Sequence, residues 1–150
     1  MRVRAKLSVL WIIGTVLAAA ACHSSTSPSG AQALELRRHE AQWRAQGIHD
    51  YAFDYDVLAM VAPRPVRIVV RGDAVAEVVV RDTGERLQDL DRWPTVDSLF
   101  AEAQRVIERD QYRAAIIYDG ARGFPAHIDA TSGVPDTGFT LDVHNFVPAN

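Results

Sequence analysis

The sequence of 150 residues contains a single cysteine, Cys22, and a single lysine, Lys6. One cysteine excludes an internal disulfide and any zinc site that needs two or more cysteines. The chain also has no excess of positive charge: it contains 16 basic and 19 acidic residues, which gives a formal net charge of −3. This balance does not indicate a nucleic-acid partner. Apolar residues make up 48% of the chain, which excludes wholesale disorder, and the length is that of one domain.

Motifs of nucleophilic catalysis and of cofactor binding are absent from the sequence as well. The chain has no Gly-x-Ser-x-Gly turn and no glycine-rich loop of the kind that holds a phosphate. We therefore assign no catalytic residue, no cofactor and no metal ligand from motifs. The sequence favours a protein without enzymatic activity.

The N-terminal residues 1–21 have the pattern of an export signal. A basic start at residues 2–6 precedes an apolar run at 7–18 that is too short to span a bilayer, and small residues follow at 19–21. Cys22 comes next. A lone cysteine in this place resembles the lipidation box of bacterial lipoproteins, in which the thiol receives a diacylglycerol. The alternative is ordinary secretion with an incidental cysteine.

Residues 22–30 are predicted to be the lipid-attachment cysteine followed by a flexible polar tether, and residues 31–150 to be one folded domain. Removing residues 1–21 takes away three basic residues and no acidic one, so the remaining net charge is −6. An acidic domain is not attracted to anionic lipid, so lipid on Cys22 would provide the attachment.

We expect an exported, lipid-anchored protein of the cell envelope, with a secreted or periplasmic protein as the alternative. His23, rather than aspartate, after the cysteine favours the outer membrane if there are two.

Hydrophobic periodicity predicts helices and strands in a repeated order. The spacing predicts a helix over 31–46 and a second one that begins after Thr95. The second helix has the clearest apolar stripe, formed by Val96, Leu99, Phe100, Ala103, Val106 and Ile107. Residues 82–93 are predicted to be a polar loop. Alternation predicts strands at 51–61, 66–70, 75–81, 113–119, 124–131 and 139–147, with Gly72-Asp73 as a hairpin turn.

The predicted fold class is therefore α+β. Each half reads as one helix followed by three strands, which predicts tandem αβββ repeats. Clean alternation favours an antiparallel sheet with one face exposed, so we expect a two-layer sandwich with both helices on the other face. This architecture resembles that of bacterial β-lactamase inhibitor proteins and peptidase-inhibitory propeptides.

Short groups of residues occur in a fixed order over about 34–147. They are Trp43 with Tyr51, Phe53 and Tyr55; Val66 to Val70 with Gly72; Pro94-Thr95-Val96 with Leu99-Phe100; Tyr118-Asp119; Gly123-Phe124-Pro125; Ile128-Asp129; and Asp136. In this order they resemble the bacterial domain-of-unknown-function family numbered 6174. Many of its members look like exported or lipid-anchored proteins, so the resemblance implies export and brings no known activity. Many also carry a cysteine pair after the first strand, which this chain lacks.

Four polar side chains in the last two strands form the candidate site. His127 and Asp129 share one face of their strand, and Asp142 and His144 share one face of theirs. If the alternating apolar residues face one core, both polar pairs lie on the outer face and His127 lies near Asp142. Two imidazoles and two carboxylates could bind zinc or a similar ion. The simpler interpretation is a solvated sheet face.

Two functions follow as expectations. The first is a membrane-anchored, non-enzymatic domain of the cell envelope that binds another envelope protein. The alternative is a small metal-binding or hydrolytic enzyme that uses His127, Asp129, Asp142 and His144. A paired-carboxylate site at Asp54 and Asp56 is less favoured, because their alternation with aromatic residues predicts an exposed strand face.

Overall fold

The computed structural model describes residues 28–109, 112–134 and 137–149. The predicted signal at 1–21, the lipidation residue Cys22 and the predicted tether up to residue 27 lie outside the described residues. Within the described ranges, no helix combines the length and the apolar character needed to cross a membrane.

The helices and strands follow one another in the predicted order. They are α1 (Pro28–Arg44), β1 (Tyr51–Leu58), β2 (Val66–Arg71), β3 (Ala74–Val80), a 3-10 turn (Leu90–Arg92), α2 (Val96–Glu108), β4 (Tyr112–Tyr118), β5 (Pro125–Ser132) and β6 (Phe139–Pro148). Helix α1 begins three residues earlier than predicted, because Pro28 suits the first turn of a helix. Residues 28–30, expected to belong to the tether, are therefore helical.

The six strands form one antiparallel sheet in the order β3-β2-β1-β6-β5-β4. Strands β1 and β6 pair at its centre and so join the first half of the chain to the second. Both helices contact the inward-facing Tyr51: the Trp43 ring of α1 lies edge-on to its ring, with centroids 5.5 Å apart, and the Val96 amide of α2 donates to its hydroxyl at 2.9 Å. The α+β class with an antiparallel sheet and two helices is thus confirmed.

Helix α2 begins where the sequence predicts it. The Thr95 hydroxyl accepts a hydrogen bond from the Ser98 amide at 3.3 Å, and the Ser98 hydroxyl accepts one from the Thr95 amide at 2.7 Å. This reciprocal cap satisfies two amides that the helix cannot bond internally. All six residues of the predicted apolar stripe are buried: Val96, Leu99, Phe100, Ala103, Val106 and Ile107.

A bulge in β6 changes which face its side chains occupy. Asp54 of β1 pairs with His144, whereas Ala52 pairs with Val147, so two residues of β6 oppose one residue of β1. Asn145 occupies the bulge with φ of +51°. Because of this extra residue, His144 lies on the outer face while Phe146 packs inward, 5.7 Å from Trp43 and 4.9 Å from Phe124 between ring centroids.

The bulge predicts an ordering of substitutions at Asn145. An alanine there pays the steric cost of a left-handed backbone, and a glycine does not. Since both lose the same side chain, we expect Asn145→Ala to be less stable than Asn145→Gly by about 1 kcal/mol. Urea unfolding of the two variants measures the difference. Equal stabilities would mean that the positive φ does not constrain the fold.

Candidate functional site

The outer sheet face, opposite the helices, carries the four polar residues that the sequence singles out. Strands β5 and β6 pair so that His127 lies directly opposite Asp142, and His127 Nδ1 is 2.7 Å from Asp142 Oδ1. The predicted proximity of these two side chains is confirmed. The alternation of side chains along β5 and β6 predicts this proximity. Ile128 and Leu141 are buried opposite each other on the other face, so the neighbouring residues His127 and Asp142 must share the outer face.

The other two predicted residues have different partners. His144 Nε2 lies 3.6 Å from Asp56 Oδ2 and 3.4 Å from an Arg81 nitrogen. Asp129 accepts a hydrogen bond from the Thr131 hydroxyl at 2.7 Å. Across the described part of the chain, no group of three or more His, Cys, Asp or Glu side chains is arranged to hold a metal ion. His127 and Asp142 therefore pair with each other, whereas His144 and Asp129 contact other residues, and the four side chains do not form a single cluster.

Asp54 is the centre of a polar network on this face that the sequence did not predict. Its carboxylate accepts hydrogen bonds from Arg67 Nη1 and from Asn145 Nδ2, both at 2.8 Å, and Arg81 lies 3.7 Å away. Arg81 also forms an ion pair with Asp56. The expectation of an exposed position was wrong for Asp54, which is only 6% exposed, because these side chains cover it from β2, β6 and the end of β3.

The network changes the acidity of Asp54. Burial by itself raises the pKa of the carboxyl, but the hydrogen bonds from Asn145 and Arg67 and the charges of Arg67 and Arg81 outweigh burial and hold the pKa below its usual range. The carboxylate therefore stays ionised, and each of its two oxygens accepts a hydrogen bond. A group held in this way positions its neighbours and is poorly suited to accept a proton from a substrate.

A groove of about 640 Å³ opens on the helix side of the sheet, beside the 3-10 turn. We call it the Trp93 groove. Its apolar floor and walls are formed by Tyr55, Val57, Val61, Ala62, Pro63, Val80, Leu87 and Trp93. Arg64, Asp89 and Arg92 lie on its rim, where Arg64 pairs with Glu85 at 2.6 Å and Arg92 with Asp89 at 3.3 Å.

Two walls of the Trp93 groove, Leu87 and Trp93, come from the segment 82–93 that was predicted to be a polar loop. Residues 90–92 form a turn of 3-10 helix, and the Leu87 amide donates to the Val78 carbonyl at 2.9 Å, which holds the segment against β3. The sequence signal for this segment is the three-residue spacing of Leu87, Leu90 and Trp93. A 3-10 helix has three residues per turn, so apolar residues with this spacing tend to lie on one side.

Tyr55 lines the Trp93 groove, and its ring lies edge-on to Trp93, with centroids 6.4 Å apart. Burial, with a smaller contribution from the Glu102 charge, raises the pKa of the Tyr55 hydroxyl to about 12. The hydroxyl is therefore neutral at physiological pH. It can donate or accept a hydrogen bond but does not act as a base there.

Large apolar side chains are exposed at one end of the sheet. Leu58 at the end of β1 is 74% exposed, and Met60 and Val61 in the β1–β2 connection are 72% and 87% exposed. Val134 after β5 is 62% exposed. The two connections border an open hollow of about 610 Å³, lined by Leu58, Met60 and Val134 together with polar residues that include Asp129 and Thr140. These four residues form what we call the apolar end of the domain.

Comparison with known proteins identifies a family. A family model described as "Family of unknown function (DUF6174)" matches residues 35–148. No curated protein and no solved structure matches the chain. The matched range contains all six strands, the outer sheet face and the Trp93 groove.

The Asp54 network predicts a pH-dependent stability. Because the folded-state pKa of Asp54 is lower than that of an unfolded aspartate, its contribution is present above about pH 4 and is lost as the pH falls through the folded-state pKa. Asp54→Asn should lower the free energy of unfolding by about 1–3 kcal/mol near neutral pH, since two arginines lose a partner. The deficit should shrink on acidification, because the wild type then loses the same contribution.

Urea unfolding at about pH 6 and about pH 3 measures both quantities. Asp89→Asn is the matched control, because this exposed carboxylate pairs with Arg92 at 3.3 Å and its loss should cost less than about 1 kcal/mol. A deficit for Asp54→Asn that is the same at both pH values would contradict the role assigned to the network.

Proposed function

The chain belongs to the family of unknown function DUF6174, and from that premise we propose that it is a non-enzymatic lipoprotein domain of the cell envelope. In this proposal a lipid on Cys22 anchors the domain to a membrane, and the domain binds another envelope protein. Nucleic acid is not a partner. The family match covers residues 35–148 and describes no activity, so the support for the proposal comes from the sequence pattern before that range and from the geometry within it.

The support for the membrane anchor comes from the sequence. Residues 1–21 have the basic, apolar and small-residue regions of an export signal, and Cys22 follows them directly. Several acyl chains hold a protein on a bilayer far more firmly than one. His23 supports the outer membrane in a cell with two membranes, and a secreted or periplasmic protein is the alternative if Cys22 receives no lipid.

The Trp93 groove is the observation that carries the binding proposal. It has an apolar floor, two aromatic walls from Tyr55 and Trp93, and arginines on its rim. Trp, Tyr and Arg are the residue types that dominate binding energy at protein interfaces, where they fill or line desolvated pockets. Because the rim arginines already pair with acidic residues, the groove suits a short apolar segment better than an acidic one.

The same groove supports a role in binding over a role in catalysis. The Tyr55 hydroxyl stays protonated because its pKa is about 12, and the rim charges are paired. Catalytic groups are expected to have pKa values near the working pH and to converge on one point. The groups around this groove instead offer apolar area and fixed hydrogen-bonding sites.

We also propose that the two halves are tandem αβββ units in a two-layer sandwich. In each half the strands lie side by side in reverse sequence order, as β3-β2-β1 and as β6-β5-β4. Because β1 and β6 pair antiparallel, equivalent strands of the two halves run in opposite directions, so the likeness between the halves concerns the order of their elements. The likeness to β-lactamase inhibitor proteins concerns architecture only, and architecture does not determine function.

Crosslinking in cells tests the binding proposal. A photo-crosslinking amino acid replaces Gln88, which is exposed and lines the Trp93 groove, and in a matched control it replaces Ala74, exposed at the other end of β3. We expect one dominant protein adduct from position 88 and little from position 74. With the partner identified, Trp93→Ala should weaken binding about 30-fold, the loss of one interface hot spot.

The same experiment with Cys22→Ser tests the anchor. Loss of the lipid should release the protein from the membrane fraction and reduce the adduct at position 88, since the two proteins then no longer share a surface. Equal adducts at positions 88 and 74 would contradict the groove as the binding site. A Cys22→Ser protein that stays in the membrane fraction would contradict the lipid anchor.

The alternative function, metal-dependent or hydrolytic chemistry on the outer sheet face, is supported by the His127–Asp142 pair, since a carboxylate commonly orients a ligating histidine. It predicts zinc binding that His127→Ala and His144→Ala both weaken. His49→Ala is the control, because His49 also pairs with a carboxylate, Asp73, at 2.8 Å but lies away from this face. Zinc titration calorimetry that detects no binding to the wild type would contradict the alternative.

A further inference from the structure

The position of α1 shows at which end of the sheet the chain leaves towards Cys22. Gln32 Nε2 donates to the Ala114 carbonyl at 2.9 Å, and His39 stacks on Tyr118 with ring centroids 4.0 Å apart. Helix α1 and strand β4 therefore run in the same direction. Pro28, one turn before Gln32, is about 6 Å further along the helix and lies near the Tyr112 end of β4.

The same end of the sheet is the apolar end. Tyr112 pairs with Ser132, where β5 finishes and the connection with Val134 begins. In the neighbouring strands, Thr140 at the start of β6 pairs with Leu58 at the finish of β1. The start of α1 and the exposed side chains of Leu58, Met60, Val61 and Val134 therefore lie at one end of the domain.

The length of chain outside the structure limits how far this end can be from a membrane anchor. Six residue steps separate Cys22 from Pro28, and a fully extended chain spans at most about 22 Å over six steps. A lipid on Cys22 would hold the start of α1 within that distance of the bilayer. The opposite end of the sheet, where Ala52 pairs with Val147, is about six residues of β1 further away, or roughly 20 Å.

The composition of the apolar end matches a lipid surface. The β1–β2 connection, residues 59–65, contains one charged residue, Arg64, which pairs with Glu85 at 2.6 Å. The β5–β6 connection, residues 133–138, also contains one charged residue, Asp136. Exposed apolar side chains next to an anchor can enter the boundary between headgroups and acyl chains without burying a charge.

We propose that the apolar end is a membrane-contacting surface, in which Leu58, Met60, Val61 and Val134 enter the bilayer beside the lipid on Cys22. This inference rests on the anchor in the proposed function. The domain would then contact the membrane in two ways. The acyl chains on Cys22 supply most of the affinity, and the apolar end sets the orientation of the domain relative to the bilayer. The strands then stand away from the bilayer, and the outer sheet face lies to the side.

Photo-crosslinking to lipid tests this surface. The full-length gene product is expressed in bacteria, purified from membranes and reconstituted into phosphatidylcholine vesicles, with a photo-crosslinking amino acid in place of Met60. The matched control has it in place of Val147, which is 53% exposed but lies at the opposite end of the sheet. We expect about tenfold more phospholipid adduct from position 60 than from position 147.

Mass spectrometry of the same samples separates this inference from the anchor. A lipid on Cys22 with equal adducts at positions 60 and 147 overturns the membrane-contacting surface and leaves the anchor intact. No lipid on Cys22 overturns the anchor and, with it, the orientation proposed here. A lipid on Cys22 with the adduct confined to position 60 supports both.

A second measurement distinguishes apolar contact from attraction of charge. The photo-crosslinking amino acid replaces Val134. The test protein also carries Met60→Ser and Val61→Ser, and the control protein instead carries Ile117→Ser, which removes a 62% exposed apolar side chain elsewhere on the domain. The yield of lipid adduct at position 134 should fall several-fold in the double variant and stay unchanged in the control. About 1 M salt should leave the wild-type adduct unchanged, because screening weakens only charge contacts; loss of the adduct in salt would contradict apolar insertion.

Discussion

The bulge at Asn145 is the constraint on which both faces of the sheet depend. Without the extra residue in β6, His144 and Phe146 would share a face, because side chains of a strand alternate with a period of two. With it, His144 lies on the polar face near Asp56, and Phe146 completes the aromatic cluster around Trp43. One backbone irregularity therefore serves the core and the outer sheet face at once.

The Asp54 network is the polar counterpart of that aromatic cluster. Asn145 donates to the Asp54 carboxylate from the bulge itself, and Arg67 donates to it from the neighbouring strand β2. The network crosses the junction between β1 and β6, the pairing that joins the two halves of the chain. Its hydrogen bonds add to those of the backbone at this seam, so we interpret the network as structural.

The two ends of the sheet differ in how completely they are covered. At the end where β1 begins, Trp43 and Phe146 pack against the Tyr51 ring, and the Val96 amide donates a hydrogen bond to the Tyr51 hydroxyl. At the other end the helices leave room for the Trp93 groove and for the apolar end. The features available for binding are therefore concentrated away from the most tightly packed part of the core.

Local patterns in the sequence determined the helices and strands, the cap at Thr95, the hairpin turn at Gly72-Asp73 and the closeness of His127 to Asp142. Each depends on residue spacing within one element or on parity between two adjacent strands. Only the tertiary structure decided that β1 pairs with β6, that Asp54 is buried and that Trp93 walls a groove. Those features depend on contacts between residues far apart in the chain and on a bulge that breaks the simple alternation, which periodicity along the sequence does not reveal.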